Sequence, residues 1–352
     1  MIFTFKEIKK SLSYLSAEWY HNNKTINVIL IIISLNMISN DIDLAAKLLK
    51  QGEIVAIPTE TVYGLAANAY NPEAVEKIFI AKQRPKNDPL IVHIHNIMQL
   101  EDMIGEIPHN ASVLFTNFWP GPLTILFKNS KKKVPDIVNS GSPYVAVRLP
   151  KNELTLRLLS KLDFPIAAPS ANLFQKTSPT TPQHVEKQFG DKIPMILDGG
   201  ECRVGVESTI VGFDEEDEKT INVFRLGGIT VENLKSVMRG FNIVIKGGNY
   251  NLPGTAKLHY STNKPLILGN IDELLLEHKD KKIGVLSFQK DYNAEFQFIL
   301  SERGNLEEAA QNLYKGMQIL DAMPVDIILT ELVPDNHIGR AINDRLIRAS
   351  AK

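Results

Sequence analysis

Short apolar runs alternate along the chain with polar turns and with segments whose apolar residues recur every three or four positions. Residues 41–50 place Ile42, Ala45, Ala46 and Leu49 on one helical face, with Asn40 or Asp41 as cap and Gly52 as stop. An apolar strand follows at 54–57. A helix is predicted over 72–81, with Pro72 at its first position, Glu73 suiting the dipole, and Val75, Ile78 and Phe79 inward. Further strands are predicted at 90–94, 123–127, 144–149, 165–168, 195–197, 208–213 and 220–225. Helices are predicted at 96–103, 110–118, 152–162, from 182, and at 231–238. The acidic run 214–219 between two strands reads as a solvated hairpin tip. Strands with helices between them define an α/β domain over 37–245.

Residues 246–264 have no apolar period and are rich in Gly, Asn and Pro, which marks a linker. Beyond it, 265–352 read as strand 265–268, helix 271–278, strands 283–287 and 296–300, helix 305–320, strand 325–329 and helix 337–350. This pattern predicts a smaller α/β domain with a parallel, Rossmann-like sheet, but it has no G-x-G-x-x-G after its first strand, which argues against dinucleotide binding. At the other end, 26–35 are strongly apolar but too few for a membrane span of about 20 residues. No small-x-small cleavage site follows them. Residues 1–36 are therefore expected to be an extension outside the fold, and Met37 is a candidate start of synthesis.

Composition narrows the classes. With 44% hydrophobic and 22% charged residues over 352, the chain is an ordinary globular protein. A net charge of −1 gives no global footprint for nucleic acid, though a local basic cleft stays open. The single cysteine, Cys202, permits neither a disulfide framework nor a cysteine zinc site and fits a reducing compartment. No Walker loop, H-E-x-x-H or G-x-S-x-G is present.

The candidate chemistry centres on 55–95. An apolar strand ends in the turn Pro58-Thr59-Glu60-Thr61, and the return passes through a cationic loop with Lys82, Arg84 and Lys86. Such a turn suits a ligand's amine or hydroxyl, or simply stabilises itself. The loop suits phosphates, or is a solvated charged face. His93 lies on the following strand, where a structural role is the common one. Arg148 ends an apolar strand; burying it requires an anion, either a substrate carboxylate or an internal Asp or Glu. Pro169-Ser-Ala-Asn172, Ser178-Pro-Thr180, Asp198-Gly-Gly200 and Glu207-Ser-Thr209 put more polar groups at strand and helix ends, as caps or as ligand contacts. Their recurrence at several strand ends is the signal, because ligands of α/β folds collect there.

PTETVYGLAANA, KQRPKNDPLIVHI, PGPLTILF, VAVRLP, PIAAPSAN, SPTTP, ILDGG and STIV, in this order over about 52–228, closely resemble the YrdC-domain family of L-threonylcarbamoyladenylate synthases. The linker and second domain resemble the longer form, in which a Pro-Gly…His-Tyr linker closes over the active site. The resemblance implies a YrdC-like twisted open sheet and a reaction in which L-threonine, bicarbonate and ATP give threonylcarbamoyl-AMP and pyrophosphate. It implies that Thr61, His93, Arg148, Ala168 and Ser208 hold threonine, with Arg148 on the carboxylate. Lys82, Arg84, Asp88, Tyr144, Ser170, Ser178 and Arg225 would line the ATP site, Lys82 and Arg84 acting on the reacting phosphates, and Tyr260 would lie over the nucleotide. Mg2+ would come with ATP, bound by phosphates and water. Downstream tRNA-modifying threonylcarbamoyl transferase proteins, a cytoplasmic location and no membrane association are implied as well.

This sequence departs from the family pattern at Asn87-Asp88, where Asp-Asn or Ser-Asp is frequent. It departs again at Phe174-Gln175, where Ser-Gly is frequent, and at 255–258 before His259-Tyr260. A competing expectation is a double-stranded RNA or tRNA-binding module without ATP turnover, using the same concave surface. Larger carbamoyl-transferring maturation enzymes that contain this domain need cysteine-rich zinc segments, which one cysteine excludes.

Overall fold

The computed structural model describes residues 37–246, 252 and 259–351. The expectations for residues 1–36 and for most of the linker lie outside the described residues. Within them, β1 (Ile38–Ser39), β2 (Val55–Ile57), β3 (Gly64–Asn68), β4 (Ile91–His93), β5 (Leu123–Lys128) and β6 (Tyr144–Arg148) join one mixed sheet with five more strands. Those are β7 (Ile166–Ala167), β8 (Ile196–Leu197), β9 (Thr209–Phe213), β10 (Thr220–Arg225) and β11 (Asn242–Ile245). The order across the sheet is β1-β8-β2-β3-β7-β4-β6-β5-β9-β10-β11. β9 and β10 pair antiparallel around an exposed acidic turn, as the pattern predicts.

Register places the site. β4 runs parallel to β6 with His93 opposite Arg148, and antiparallel to β7 with Val92 opposite Ala167. The apolar pattern does not predict β3. Its residues, Gly-Leu-Ala-Ala-Asn, carry no β-branched or aromatic side chain, so their propensity is silent. They become a strand because β2 and β7 flank them on both sides, where small side chains let layers close tightly. The two-residue β1 and the strand β11 escape prediction for want of length and pattern.

Helices carry their own punctuation. Asp41 caps Ile42–Lys50 by accepting from the Leu44 N–H at 2.9 Å, and Asn71 with Pro72 opens Pro72–Lys82. That second helix ends at Lys82, with Gln83 left-handed at φ 55°, so the cationic loop leaves the helix towards the sheet. Helices Ile42–Lys50 and Glu153–Leu159 bury Ala45, Leu49, Leu158 and Leu159 against Val55, Ile57, Ala66 and Ile166 in one apolar core.

The C-terminal region forms a four-stranded parallel sheet of β12 (Leu266–Leu268), β13 (Ile283–Ser287), β14 (Phe296–Ile299) and β15 (Ile327–Thr330). The parallel winding is as expected, but β15 inserts between β12 and β13, so the order is not that of a Rossmann half. Helices Leu306–Ala322 and Gly339–Ser350 cover it. Its core does not stop at the domain boundary. Val62 and Val206 of the first domain and Tyr260 of the linker belong to the same buried cluster as Leu313, Tyr314, Met317 and Leu346. Gly205, at φ +78°, makes this possible: a Cβ there would lie 2.2 Å from the carbonyl oxygen of Ala310.

Candidate active site

One cavity collects most of the polar residues singled out above. Thr61, Arg84, His93, Arg148, Ala168, Ser170, Ser208, Arg225 and Tyr260 all line it, together with Thr59, Glu207 and His259. It sits where the turn after β2, the end of β4, the end of β6, the segment after β7 and the start of β9 converge. As it stands, the space open to a water is about 40 Å³. Sites for drug-sized ligands run to roughly 300–1,000 Å³. His259 and Tyr260 are packed into its wall: both are buried, and their rings meet edge to face at 4.1 Å.

The hydroxyl corner is built by hydrogen bonds within the turn. Thr59 Oγ1 donates to the Val62 carbonyl at 2.6 Å and lies 2.8 Å from Thr61 Oγ1. Arg148 is held from three sides. Its Nη1 donates to Thr61 Oγ1 at 3.0 Å, its Nε to the Gly121 carbonyl at 3.2 Å, and its Nη2 lies 2.7 Å from Glu60 Oε1 as an ion pair not aligned as a hydrogen bond. Of the two partners left open by the sequence, the internal acid is therefore present. Glu60 also accepts from the Lys151 N–H at 2.9 Å, so it spans the turn and the chain after β6. His93 is buried with Nδ1 3.3 Å from the Ile91 carbonyl; burial and the nearby Arg148 charge push its pKa down to about 3, so the imidazole is neutral.

The cationic corner is equally fixed. Arg84 Nη2 pairs with Asp88 Oδ1 at 2.8 Å and donates to the Pro89 carbonyl at 2.8 Å. Asp88 thus orients Arg84 and is not itself among the lining residues; Asn87-Asp88 keeps the carboxylate within reach. Lys82 stands behind the lining as well. Its Nζ donates to the carbonyls of Ser170 (2.6 Å) and Asn172 (2.5 Å), tying the cationic loop to the Pro169–Asn172 segment. Burial, reinforced by Arg84, lowers its pKa well below the usual value. Arg225 donates to the Ser208 carbonyl and to its Oγ, both at 3.0 Å, and Ser208 Oγ meets Thr124 Oγ1 at 2.7 Å.

Two further expected nucleotide contacts, Ser178 and Tyr144, do not line the cavity either. Ser178 Oγ donates to Glu207 Oε1 at 2.6 Å, one layer behind the cavity. Tyr144 does not line this cavity but a second cleft, with Ser142, Phe224 and Leu252, and its hydroxyl bonds Glu215. Asp198-Gly-Gly200 does not face the cavity but brackets the hydroxyl of Tyr63, which donates to the Gly200 carbonyl at 2.8 Å.

The sequence pattern marks the segments of Glu60, Glu207 and His259 without assigning these residues to the site. Glu207 is the largest omission. It sits on the cavity wall, and burial alone would raise its pKa. The charges of Arg345 and Arg225 and the Ser178 hydroxyl overcome that and hold the carboxyl at about 2. Arg345 comes from the last helix of the second domain, so no local pattern announces the pair.

The fold and cavity define a two-domain α/β protein whose sheet carries a buried cavity lined by hydroxyls and guanidiniums. The family model described as "Telomere recombination" matches residues 47–227, and the model described as "Threonylcarbamoyl-AMP synthase, C-terminal domain" matches 229–351. The chain is 40% identical over 325 residues to the threonylcarbamoyl-AMP synthase of Pyrococcus abyssi, covering 88% of this chain and 94% of that protein. It is 38% identical over 320 residues to that of Bacillus subtilis, covering 87% and 92%. The crystal structure of Pyrococcus abyssi Sua5 complexed with L-threonine superposes with a TM-score of 0.82 at 39% identity, covering 88% of this chain and 94% of that one. The protein belongs to the threonylcarbamoyl-AMP synthase family, in its two-domain form.

Proposed function

We propose that this protein condenses L-threonine, bicarbonate and ATP into L-threonylcarbamoyl-AMP and pyrophosphate. The observation that carries the reading is one buried cavity in which a corner of Thr61, His93, Arg148 and Ser208 meets a corner of Arg84 and Arg225, in a chain of this family. Threonine sits in the first corner, its carboxylate at the guanidinium of Arg148 and the Thr61 hydroxyl. The neutral His93 and the small Ala168 bound its side-chain pocket. The threonine amine adds to carbon dioxide derived from bicarbonate and loses a proton, giving a carbamate. A carbamate oxygen then attacks the α-phosphorus of ATP, and the bond to the bridging oxygen breaks as pyrophosphate leaves.

Such a transfer relies on positioning and charge neutralisation more than on an acid or base. Arg84 and Arg225 face the phosphates. Lys82 and Ser170 secure the loop beside them, and Asp88 and Ser178 hold their neighbours in place. Mg2+ would come with ATP, held by phosphates and water, because Glu60, Asp88 and Glu207 around the cavity are each engaged by an arginine, Arg148, Arg84 and Arg345. Tyr144 touches the nucleotide only if the base extends into the second cleft.

His259 and Tyr260 block the cavity in this state, so they withdraw for ATP to enter. Two features favour that exchange: Tyr260 is left-handed at φ 66°, and the Tyr260 hydroxyl and His259 Nδ1 are buried without a partner among the described residues. The product supplies threonylcarbamoyl transferase proteins that modify tRNA in the cytoplasm. No helix among the described residues is long and apolar enough to cross a membrane. No observation favours a bare RNA-binding module.

The test is incubation with ATP, bicarbonate and threonine. Pyrophosphate release that requires threonine is expected; release independent of threonine, or none, overturns the reading.

A further inference from the structure

Glu207 is the point where the second domain reaches the active cavity. Its two carboxylate oxygens are shared among residues of both domains. On Oε1 it accepts from Ser178 Oγ at 2.6 Å and from the Tyr314 hydroxyl at 3.0 Å; on Oε2 it accepts from the same hydroxyl at 3.0 Å and from Arg345 Nε at 3.0 Å. Arg345 is fully buried, and its Nη1 also donates to the Leu226 carbonyl at 2.6 Å, beside Arg225. Arg345 pairs with Asp344 Oδ2 as well, at 3.1 Å, but Glu207 is the buried partner on the cavity wall, and its carboxylate needs the guanidinium to stay charged there. Tyr314 and Arg345 also flank Tyr260. The Tyr260 ring lies 5.6 Å from the ring of Tyr314, and the Arg345 guanidinium stands over it at 5.5 Å.

We propose that Arg345 and Tyr314 are positioning residues for the synthase reaction, acting through Glu207 on Ser178 and on the seat of Tyr260. The proposal rests on the functional reading above. It gives the second domain a part in the chemistry, because that domain then sets the charge and orientation of one wall of the nucleotide site. Tyr314 touches Glu207 from helix Leu306–Ala322 and Arg345 from helix Gly339–Ser350, so both helices must dock for Glu207 to be satisfied. The Lys315–Glu201 ion pair spans the same two domains at 3.1 Å but is about one-third exposed and does not reach the cavity. It serves as the control.

The experiment compares Tyr314→Phe, Arg345→Lys and Lys315→Ala in the full chain. The first two remove hydrogen bonds to a buried carboxylate, each worth roughly a factor of ten or more. For these, KM for ATP is expected to rise, or kcat to fall, about tenfold, while threonine affinity measured calorimetrically without ATP changes less than about threefold. Lys315→Ala is expected to match wild type. Equal losses for threonine and ATP, or wild-type kinetics in both Glu207-facing variants, overturn the proposal. Hydrogen–deuterium exchange supplies a readout that needs no turnover. Tyr314→Phe is expected to deprotect backbone amides around Ser178 and Tyr260, and unchanged protection there overturns the proposal. Failure of wild type to release threonine-dependent pyrophosphate counts against the functional reading alone.

Discussion

Arg148 is a buried charge held from three sides. Glu60, Thr61 and the Gly121 carbonyl fix its guanidinium, so in the proposed reaction little rotamer entropy would be left to lose on binding a carboxylate. Removing Arg148 alone strands Glu60 as an unpaired buried carboxylate, a loss of about 3–5 kcal/mol of stability. The informative variant is Glu60→Gln with Arg148→Gln, which removes both charges of the buried pair together so that neither is left alone. It is expected to raise KM for threonine by roughly 10- to 100-fold and to change KM for ATP far less. Equal losses for the two substrates contradict the carboxylate role. Gln175 shows a different residue-scale adjustment. It takes the left-handed conformation at φ 64° without being a glycine, and its carbonyl accepts from the Ser261 N–H at 2.8 Å, which ties the loop to the chain after Tyr260.

The elements meet through small residues and shared core. Helix Leu306–Ala322 passes over Gly205 so closely that a methyl group there would sit 2.2 Å from the Ala310 carbonyl oxygen and 2.3 Å from Gln311 Cα. Both contacts are backbone and cannot rotate away, and φ +78° is unfavourable for any side chain by roughly 1–2 kcal/mol. Gly205→Ala is therefore expected to destabilise by more than about 2 kcal/mol, read as a lowered denaturation midpoint in urea. An unchanged midpoint would mean that this helix does not dock there in solution. Because Glu207 lies two residues along from Gly205, the displaced helix also carries Tyr314 away from it.

At the scale of the whole molecule, several buried ionisable groups oppose acid together. His93 and His259 have pKa values near 3 in the fold against an ordinary 6.5, chiefly because burial disfavours the imidazolium. As pH falls below 6.5 the unfolded chain takes up protons that the native state refuses, so stability declines. Glu207, near 2 against an ordinary 4.5, adds a second loss as pH falls below 4.5, because the unfolded carboxylate protonates first. Denaturation midpoints are expected to fall between pH 6.5 and 4.5, and to fall more steeply below. A flat profile from pH 7 to 5 contradicts the buried neutral histidines.

Local pattern determined most of the elements. Apolar period and caps placed Ile42–Lys50, Pro72–Lys82 and Leu306–Ala322 within about two residues, because a helix face and a cap are properties of neighbours in sequence. Ordered motifs carried the family, and with it Thr61, Arg84, His93, Arg148, Ser208 and Arg225 as cavity residues. Tertiary structure decided the rest. β3 is a strand because of what flanks it, Tyr144 lines a cleft other than the one its neighbours in sequence reach, and Arg148 meets Glu60 from a strand far along the chain. The same holds for Glu207, Tyr314 and Arg345. Each is an ordinary residue in its own segment, and the low dielectric of a shared core makes them one unit.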